Sequence, residues 1–192
     1  NNPLAAIRSF ADNGRRFLER DKYDRVDENL SRISALTDRM AKISSQLRSF
    51  ARKSDSNEVN SLDVVPLIIA AKELLAPQFK SKQVALETQL DQPLPEVDLN
   101  PIQFEQVLIN LMTNAMQAVE DQAQRQVSIS TSVDEKQLSI FVDDNGPGID
   151  SDKQQSLFEP FYTTKKNGLG LGLSISQQIS QAMGGELSVA RS

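Results

Sequence analysis

A heptad repeat of apolar residues constrains the first quarter of the chain more than any other feature. Over nearly four heptads the a and d positions carry Val26, Ile33, Leu36, Met40, Ile43, Leu47 and Phe50, with Leu30 beside them. This spacing places the apolar side chains in one stripe of an α-helix. The pattern predicts a helix from about residue 24 to residue 53, roughly 45 Å long at 1.5 Å per residue.

The first twenty residues predict a second, shorter helix. Pro3 suits its first turn, and its apolar residues fall at helical spacing: Leu4, Ile7, Ala11 and Leu18. A hairpin of two such helices offers too little partner surface for the apolar stripe, so we expect two copies to form a dimeric four-helix bundle. The alternative is a hairpin that packs as a lid on the rest of its own chain.

The absence of two residue types narrows the chemistry. Among its 192 residues the sequence has neither cysteine nor histidine, so it lacks a thiolate, an imidazole base and the usual zinc ligands. Any metal should be a hard cation held by oxygen atoms, which points to Mg²⁺ and phosphate chemistry. A net charge of -5 and an aromatic content of 5% argue against direct nucleic-acid binding. The sequence has no stretch typical of a membrane span or signal peptide.

The pattern changes beyond the predicted hairpin. Residues 54–62 are polar and aperiodic, which predicts a linker between an N-terminal unit, 1–53, and a second domain, 63–192. That domain mixes short helices with alternating strands. An α+β sandwich, with a sheet covered by helices on one face, is therefore expected.

The expected elements of the second domain follow from local signals. Helices are predicted at 63–80, 101–119 and 171–183, and Pro77 is expected to bend or end the first of them. Strands are predicted at 84–90, at 126–133 and 136–142 as a hairpin turning at Asp134 and Glu135, and from Gly184 to Val189.

The helix predicted at 101–119 carries a row of amides. Asn100 is suited to cap its start, with Gln103 at the capping-box position. Gln106, Asn110 and Asn114 repeat every four residues on one face, which Gln117 extends. Amide oxygens can ligate Mg²⁺, and amide hydrogens can reach phosphate. The alternative is an ordinary solvated helix face.

Two glycine-containing segments are candidates for ligand contact. Asp143-Asp-Asn-Gly-Pro-Gly-Ile149 directly follows a predicted strand, where glycines permit close approach and a carboxylate can accept a hydrogen bond from an amine such as adenine N6. The same residues also suit a plain turn. Gly168, Gly170 and Gly172 precede a helix, and successive N–H groups there would suit a polyphosphate. This loop is neither a Walker A box nor a Rossmann fingerprint.

A lid is predicted between these segments. Phe158 and Phe161 are suited to pack beneath a mobile stretch whose polar residues can face phosphates: Thr163, Thr164, Lys165 and Lys166. The alternative is a hydrophobic anchor for a turn.

The order of these segments resembles the N, G1, F and G2 boxes of sensor histidine kinases. The four boxes are Asn110-Leu-Met-Thr-Asn-Ala, Asp144-Asn-Gly-Pro-Gly, Phe158-Glu-Pro-Phe and Gly168-Leu-Gly-Leu-Gly. Asn1-Asn-Pro-Leu-Ala-Ala-Ile is similar to the end of the family's H box. Arg8-Ser-Phe-Ala-Asp-Asn and Gln46-Leu-Arg-Ser-Phe-Ala-Arg-Lys53 further resemble sensor kinases for four-carbon dicarboxylate uptake. The resemblance implies an ATP-binding domain of the GHKL (Bergerat) type behind the hairpin.

The resemblance implies a role for each box. Asn114 would ligate an Mg²⁺ ion that bridges the phosphates, and Asn110 would assist catalysis through a water or phosphate contact. Asp144 would accept a hydrogen bond from the adenine amine. The residues implied to bind ATP or ADP are Asn110, Asn114, Gln117, Asp144, Gly146, Gly148, Ile149, Phe158, Thr163, Thr164, Lys165, Gly168, Leu169, Gly170, Leu171, Gly172 and Leu173.

Two departures from the family pattern concern the ends of the sequence. The family's phosphoacceptor His and its neighbouring Glu would lie just upstream of Asn1, and a further strand or two would follow Gly185. Asn2 would match the polar catalytic residue, four after that His, which positions a partner for dephosphorylation. ATP-hydrolysing relatives carry a Glu at the place of Asn110, which fits a kinase that avoids spending ATP on water.

The implied function is the kinase core of a two-component sensor. The parent would phosphorylate its upstream His with Mg-ATP and pass the group to an Asp of a response-regulator receiver domain, with residues 52–62 as a hinge. We expect a homodimer through the hairpin, no direct nucleic-acid partner, and a cytoplasmic fragment of an inner-membrane protein. Two alternatives remain open: a non-catalytic ATP-binding scaffold, and an ATPase that couples hydrolysis to clamp closure.

Overall fold

The chain folds into two compact units, Asn1–Ser56 and Asn57–Ser192. The structure is a computed structural model that describes residues 3–51, 59–91, 93–134, 137–150, 152–165 and 170–189. Within these ranges no helix is both long enough and apolar enough to cross a membrane.

The first unit contains the predicted pair of helices. Helix α1 spans Pro3–Leu18 and α2 spans Tyr23–Ala51, joined by a turn in which Asp21 has a φ of 54°. Along α2 the described apolar stripe is half-buried: Val26, Ile33, Leu36 and Met40. The predicted side chains at Ile43, Leu47 and Phe50 lie outside the described part. One stripe of α2 therefore meets α1 without being fully covered.

The face that α1 turns toward α2 differs from the prediction. Leu4 and Leu18 are exposed, whereas Phe10 and Phe17 are half-buried, and the Arg32 guanidinium lies 5.4 Å from the Phe10 ring centroid. The difference arises from the spacing of the residues along α1. Ile7, Phe10, Gly14 and Phe17 follow the alternating three- and four-residue spacing of a and d positions and form one stripe, whereas Leu4 and Leu18 lie on the row of the helix next to it.

The second unit contains a three-stranded sheet, a separate two-stranded pair and three longer helices in its described residues. Its elements in chain order are β1 Asn60–Leu62, α3 Val65–Ser81, β2 Ala85–Gln89, β3 Val97–Leu99, α4 Pro101–Ala118, β4 Gln126–Val133, β5 Leu138–Asp144, a 3₁₀ helix Gln155–Phe158, and α5 Gly172–Ala182. The sheet order is β2-β4-β5, parallel between β2 and β4 and antiparallel between β4 and β5. Strands β1 and β3 pair antiparallel with each other.

The core of this unit lies between its helices and the sheet. Helix α4 has an unambiguous start, because the Asn100 side chain accepts a hydrogen bond from the Gln103 N–H at 3.0 Å. Most of the buried residues come from α3, α4 and β4: Ile68, Ala71, Leu75, Phe79, Phe104, Leu108, Met112, Ala115, Met116, Val127 and Ile129. The α+β class is confirmed.

Two local predictions in this unit are wrong. Residues 60–62, placed in the linker, form β1 because β3 offers them a partner. Residues 185–189 are not a strand, since none of the described strands pairs with them. Of the two effects predicted for Pro77, it does not end α3, which continues to Ser81; Pro77 and Glu73 are exposed, so the carbonyl of Glu73 that loses its helical N–H partner can bond to water. In the confirmed β4–β5 hairpin, Glu135 of the predicted turn lies outside the described residues.

Adjacent isoleucines on α3 test this description of the core. Ile68 has no exposed surface, while 45% of Ile69 is exposed. Ile68→Ala should therefore lower the free energy of unfolding of the second unit by about 2–5 kcal/mol through lost contacts and a cavity. Ile69→Ala, which removes the same atoms, should change it by less than about 1 kcal/mol. Urea titrations of both variants measure the difference, and equal losses would contradict this orientation of α3.

Candidate functional site

Helix α4 divides its two faces between the core and a polar site. Phe104, Leu108 and Met112 are buried, whereas Asn110 and Asn114 are half-buried and Gln117 is exposed. A period of 3.6 residues per turn produces this division without any distortion of the helix. The core therefore fixes the position of the amide row.

Asn110 contacts the first turns of α5. Its Nδ2 donates a hydrogen bond to the Ser176 Oγ at 2.8 Å. Its Oδ1 lies against Gly172, where a Cβ would overlap that oxygen. The helix that follows the glycine-rich segment is thus tied directly to the amide row.

Asn114 and Gln117 share one cation supplied by the protein itself. The Lys165 Nζ donates to the Gln117 Oε1 at 2.7 Å and lies 3.3 Å from the Asn114 Oδ1. Desolvation of this ammonium group lowers the pKa of Lys165, while the nearby carboxylates of Asp144 and Glu120 act in the opposite direction. Two amide oxygens therefore converge on a positive charge.

Asp144 ends β5 beside a tight turn. Its Oδ1 accepts a hydrogen bond from the Gly146 N–H at 2.9 Å, and the residue is exposed. A Cβ at Gly146 would lie 2.7 Å from that oxygen and 2.8 Å from the Ala118 carbonyl oxygen. Gly148, with a φ of 74°, has open space where its Cβ would be, and 42% of Ile149 is exposed. The turn therefore leaves an open surface next to the carboxylate.

Asn145 is a structural residue that the sequence reasoning did not single out. Its Oδ1 accepts from the Gln126 N–H at 2.9 Å, and its Nδ2 donates to the Gln124 carbonyl at 2.7 Å. These bonds tie the turn after β5 to the start of β4. The sequence feature that could have revealed this role is the position of Asn145 next to the end of a strand, because the side chain of Asn commonly bonds to the backbone in turns.

The predicted lid is described up to Lys165. Phe158 is half-buried, the Thr163 Oγ1 accepts from the Lys165 N–H at 3.1 Å, and Thr164 is exposed. Phe161 does not pack beneath the segment as predicted, since 75% of it is exposed. Its φ of 69° directs its N–H to the Gly170 carbonyl at 2.7 Å and its side chain to solvent.

The structure brings most of the sequence-predicted site residues into one region of the second unit. Asn110, Asn114 and Gln117 lie on α4, and Gly170, Leu171, Gly172 and Leu173 lie at the start of α5, with both leucines half-buried. Four predicted residues lie outside the described ranges: Asn2, Lys166, Gly168 and Leu169. Ser176, which contacts Asn110, was missed because a serine within a helix carries no distinctive pattern.

Two glycines with left-handed backbone test the geometry of the loop. A Cβ at Gly170, whose φ is 66°, would overlap the backbone of Phe161 and Tyr162, whereas Gly148 has open space. Gly148→Ala should lower the free energy of unfolding by about 1–2 kcal/mol from conformational strain alone. Gly170→Ala should lower it by more, because the Phe161–Gly170 hydrogen bond must also shift. Thermal and urea unfolding compare the two variants, and equal losses would argue against this loop arrangement.

Comparisons with known proteins show which proteins this chain resembles. Residues 99–192 match the family of histidine kinase-, DNA gyrase B- and HSP90-like ATPases. The C4-dicarboxylate transport sensor protein DctB of Rhizobium meliloti is 37% identical over 98% of this chain, which spans 30% of the length of that relative.

Solved structures give the same result. The catalytic domain of the histidine kinase ThkA has 28% identity and a TM-score of 0.60, over 66% of this chain and 82% of that chain. A complex of ThkA with the response regulator protein TrrA, at 22% identity, has a TM-score of 0.74 over 99% of this chain and 54% of that chain, a likeness of fold. The predicted resemblance is confirmed: residues 99–192 match the family of histidine kinase-, DNA gyrase B- and HSP90-like ATPases, and 98% of the chain aligns with a sensor protein of this kind.

Proposed function

We propose that this chain is the kinase core of a two-component sensor, with residues 1–53 as the phosphotransfer hairpin, 54–62 as the linker with β1 at its end, and 63–192 as the domain that binds Mg-ATP. The observation that carries the proposal is the convergence of amide oxygens on a cation beside a glycine-rich segment, in a domain of an ATPase family.

The amide row fits a magnesium ion. The Asn114 Oδ1 already accepts a hydrogen bond from the Lys165 ammonium, so this oxygen is placed to contact a cation, and oxygen is the ligand that Mg²⁺ prefers. When bound, Mg²⁺ would neutralise phosphate charge during transfer of the γ-phosphoryl group. Asn114 would hold the metal, and Lys165 would be free to reach the phosphates.

The turn after β5 fits an adenine. The Asp144 carboxylate is exposed, and only its Oδ1 has a described bond, to the Gly146 N–H. The carboxylate can accept further hydrogen bonds, and one would come from the exocyclic amine of adenine. Gly148 and Ile149 would line the same pocket beneath the base.

Asn110 favours transfer to protein over hydrolysis. A general base that activates water needs a group able to take its proton, and an amide at this position does not do so. Its Nδ2 is moreover bonded to Ser176. The γ-phosphoryl group would pass to the imidazole of the phosphoacceptor His that the family resemblance implies.

The partners follow from the same function. The stripe of α2 stays half-buried against α1, which supports its further burial in a homodimer. The phosphoryl group would then move to an Asp of a response-regulator receiver domain docked on the hairpin, and Asn2 would position the same partner for dephosphorylation. A histidine kinase of similar fold is known in complex with a response regulator. The core would work on the cytoplasmic side of an inner-membrane sensor.

Phosphoryl transfer tests the whole proposal. The protein extended upstream through its native sequence should take an acid-labile, base-stable label from γ-labelled Mg-ATP, and Asn114→Ala should abolish the label by removing a metal ligand. Tight nucleotide binding without label would instead support the non-catalytic scaffold. Phosphate release without label accumulation would support the ATPase.

Neighbouring aspartates test the adenine contact separately. Asp143 and Asp144 are both exposed, and successive side chains of a strand point to opposite faces. Asp144→Asn should weaken ATP binding by about tenfold or more, because a charged acceptor is lost. Asp143→Asn removes the same charge and should leave the affinity within about twofold. Calorimetric titration measures both, and equal effects would contradict the assignment of Asp144.

A further inference from the structure

Ser176 is a buried hydroxyl with one partner in the candidate site. It lies on α5, with 2% of its surface exposed, and its Oγ accepts a hydrogen bond from the Asn110 Nδ2 at 2.8 Å. Without this partner, the half-buried Asn110 amide would have to rotate or find another acceptor for its Nδ2. The bond therefore restrains the orientation of the Asn110 amide.

The same helix restrains the other end of that amide. The Asn110 Oδ1 lies where a Cβ of Gly172 would be, so only a glycine leaves room for it. With Nδ2 held by Ser176, the atom that faces the glycine-rich segment is the oxygen. Ser176 and Gly172 are four residues apart and thus on one face of α5, and they contact the two ends of the Asn110 amide in the orientation that the structure shows.

We propose that Ser176 is a positioning residue for the nucleotide site, which presents Asn110 to the bound Mg-nucleotide as a hydrogen-bond acceptor. The inference rests on the proposed function and deepens it. An amide oxygen and a phosphate oxygen are both acceptors and repel each other. Of the two contacts implied for Asn110 by the family resemblance, water or phosphate, this orientation selects water, including a water bound to the metal.

A purely structural role for Ser176 makes a different prediction. In that case its bond would only hold α5 against α4, and removing the hydroxyl would lower the free energy of unfolding without changing nucleotide binding. Ser174 supplies the matched control, because it lies on the same helix, is 5% exposed, and donates its hydroxyl to the Leu171 carbonyl at 3.0 Å. Ser174→Ala and Ser176→Ala thus each remove one buried hydroxyl, but only Ser176 contacts Asn110.

The experiment measures how much Mg²⁺ strengthens ADP binding to the full chain. Calorimetric titrations with Mg²⁺ and with EDTA give two dissociation constants, and their ratio is the enhancement by the metal. Ser176→Ala should reduce this enhancement about three- to tenfold, the worth of one hydrogen bond. Ser174→Ala should leave it within about twofold, and urea unfolding verifies that both variants are folded.

A double-mutant cycle tests whether Ser176 acts through Asn110. If it does, Asn110→Ala combined with Ser176→Ala should reduce the enhancement no further than Asn110→Ala alone. Ser176→Cys, which keeps the size of the side chain but weakens its hydrogen bonding, should give an intermediate value. This variant also supplies the test should Ser176→Ala fail to fold.

Each remaining outcome overturns a specific claim. An unchanged enhancement in Ser176→Ala, an equal loss in Ser174→Ala, or additive losses in the cycle would reject the positioning role and leave the proposed function standing. A wild-type chain whose ADP affinity is the same with Mg²⁺ and with EDTA would reject the Mg-nucleotide site, and the inference would fall with it.

Discussion

The packing of α4 against the core is the constraint on which the rest of the second unit depends. This 18-residue helix buries Phe104, Leu108 and Met112 on one side and presents Asn110 and Asn114 on the other. The helix cannot turn about its own axis without exposing these buried side chains, so the polar side chains on the opposite face are held in place as well. The free energy that holds the core together therefore also fixes where the amide side chains leave the helix, and contacts with α5 then orient Asn110.

Both glycine-containing segments approach this helix, one near each end of the amide row. A Cβ at Gly172 would meet the Asn110 side chain, and a Cβ at Gly146 would meet the Ala118 carbonyl oxygen. Sequence reasoning assigns such glycines to ligand contact. Here glycine is also required because the loops approach α4 closely. The same residue type therefore allows the loops to pack on α4 and would allow a ligand to approach their backbone.

Elements with strong local signals were predictable, and those that depend on distant partners were not. The Asn100 cap, the β4–β5 hairpin and the long helix α2 all follow from a few neighbouring residues. Strands β1 and β3, of three residues each, exist only because they pair across more than thirty residues of chain. The outward side chain of Phe161 depends on a bond to Gly170, and the role of Ser176 depends on the packing of α5 against α4. The boxes identified the amides, but their orientation needed the structure.

Lys165 connects the proposed metal site to the predicted lid. Its ammonium donates to the oxygens of both Asn114 and Gln117. A metal bound to Asn114 cannot share that oxygen with Lys165 at the same distance, because two positive charges would lie within a few ångströms of each other. Binding of Mg-nucleotide at Asn114 would therefore release Lys165, and the phosphates would be the nearest strong negative charge. Lys165 would thus contact the amide oxygens before binding and the phosphates after it, and occupancy of the metal would be coupled to the position of the segment that carries Lys165.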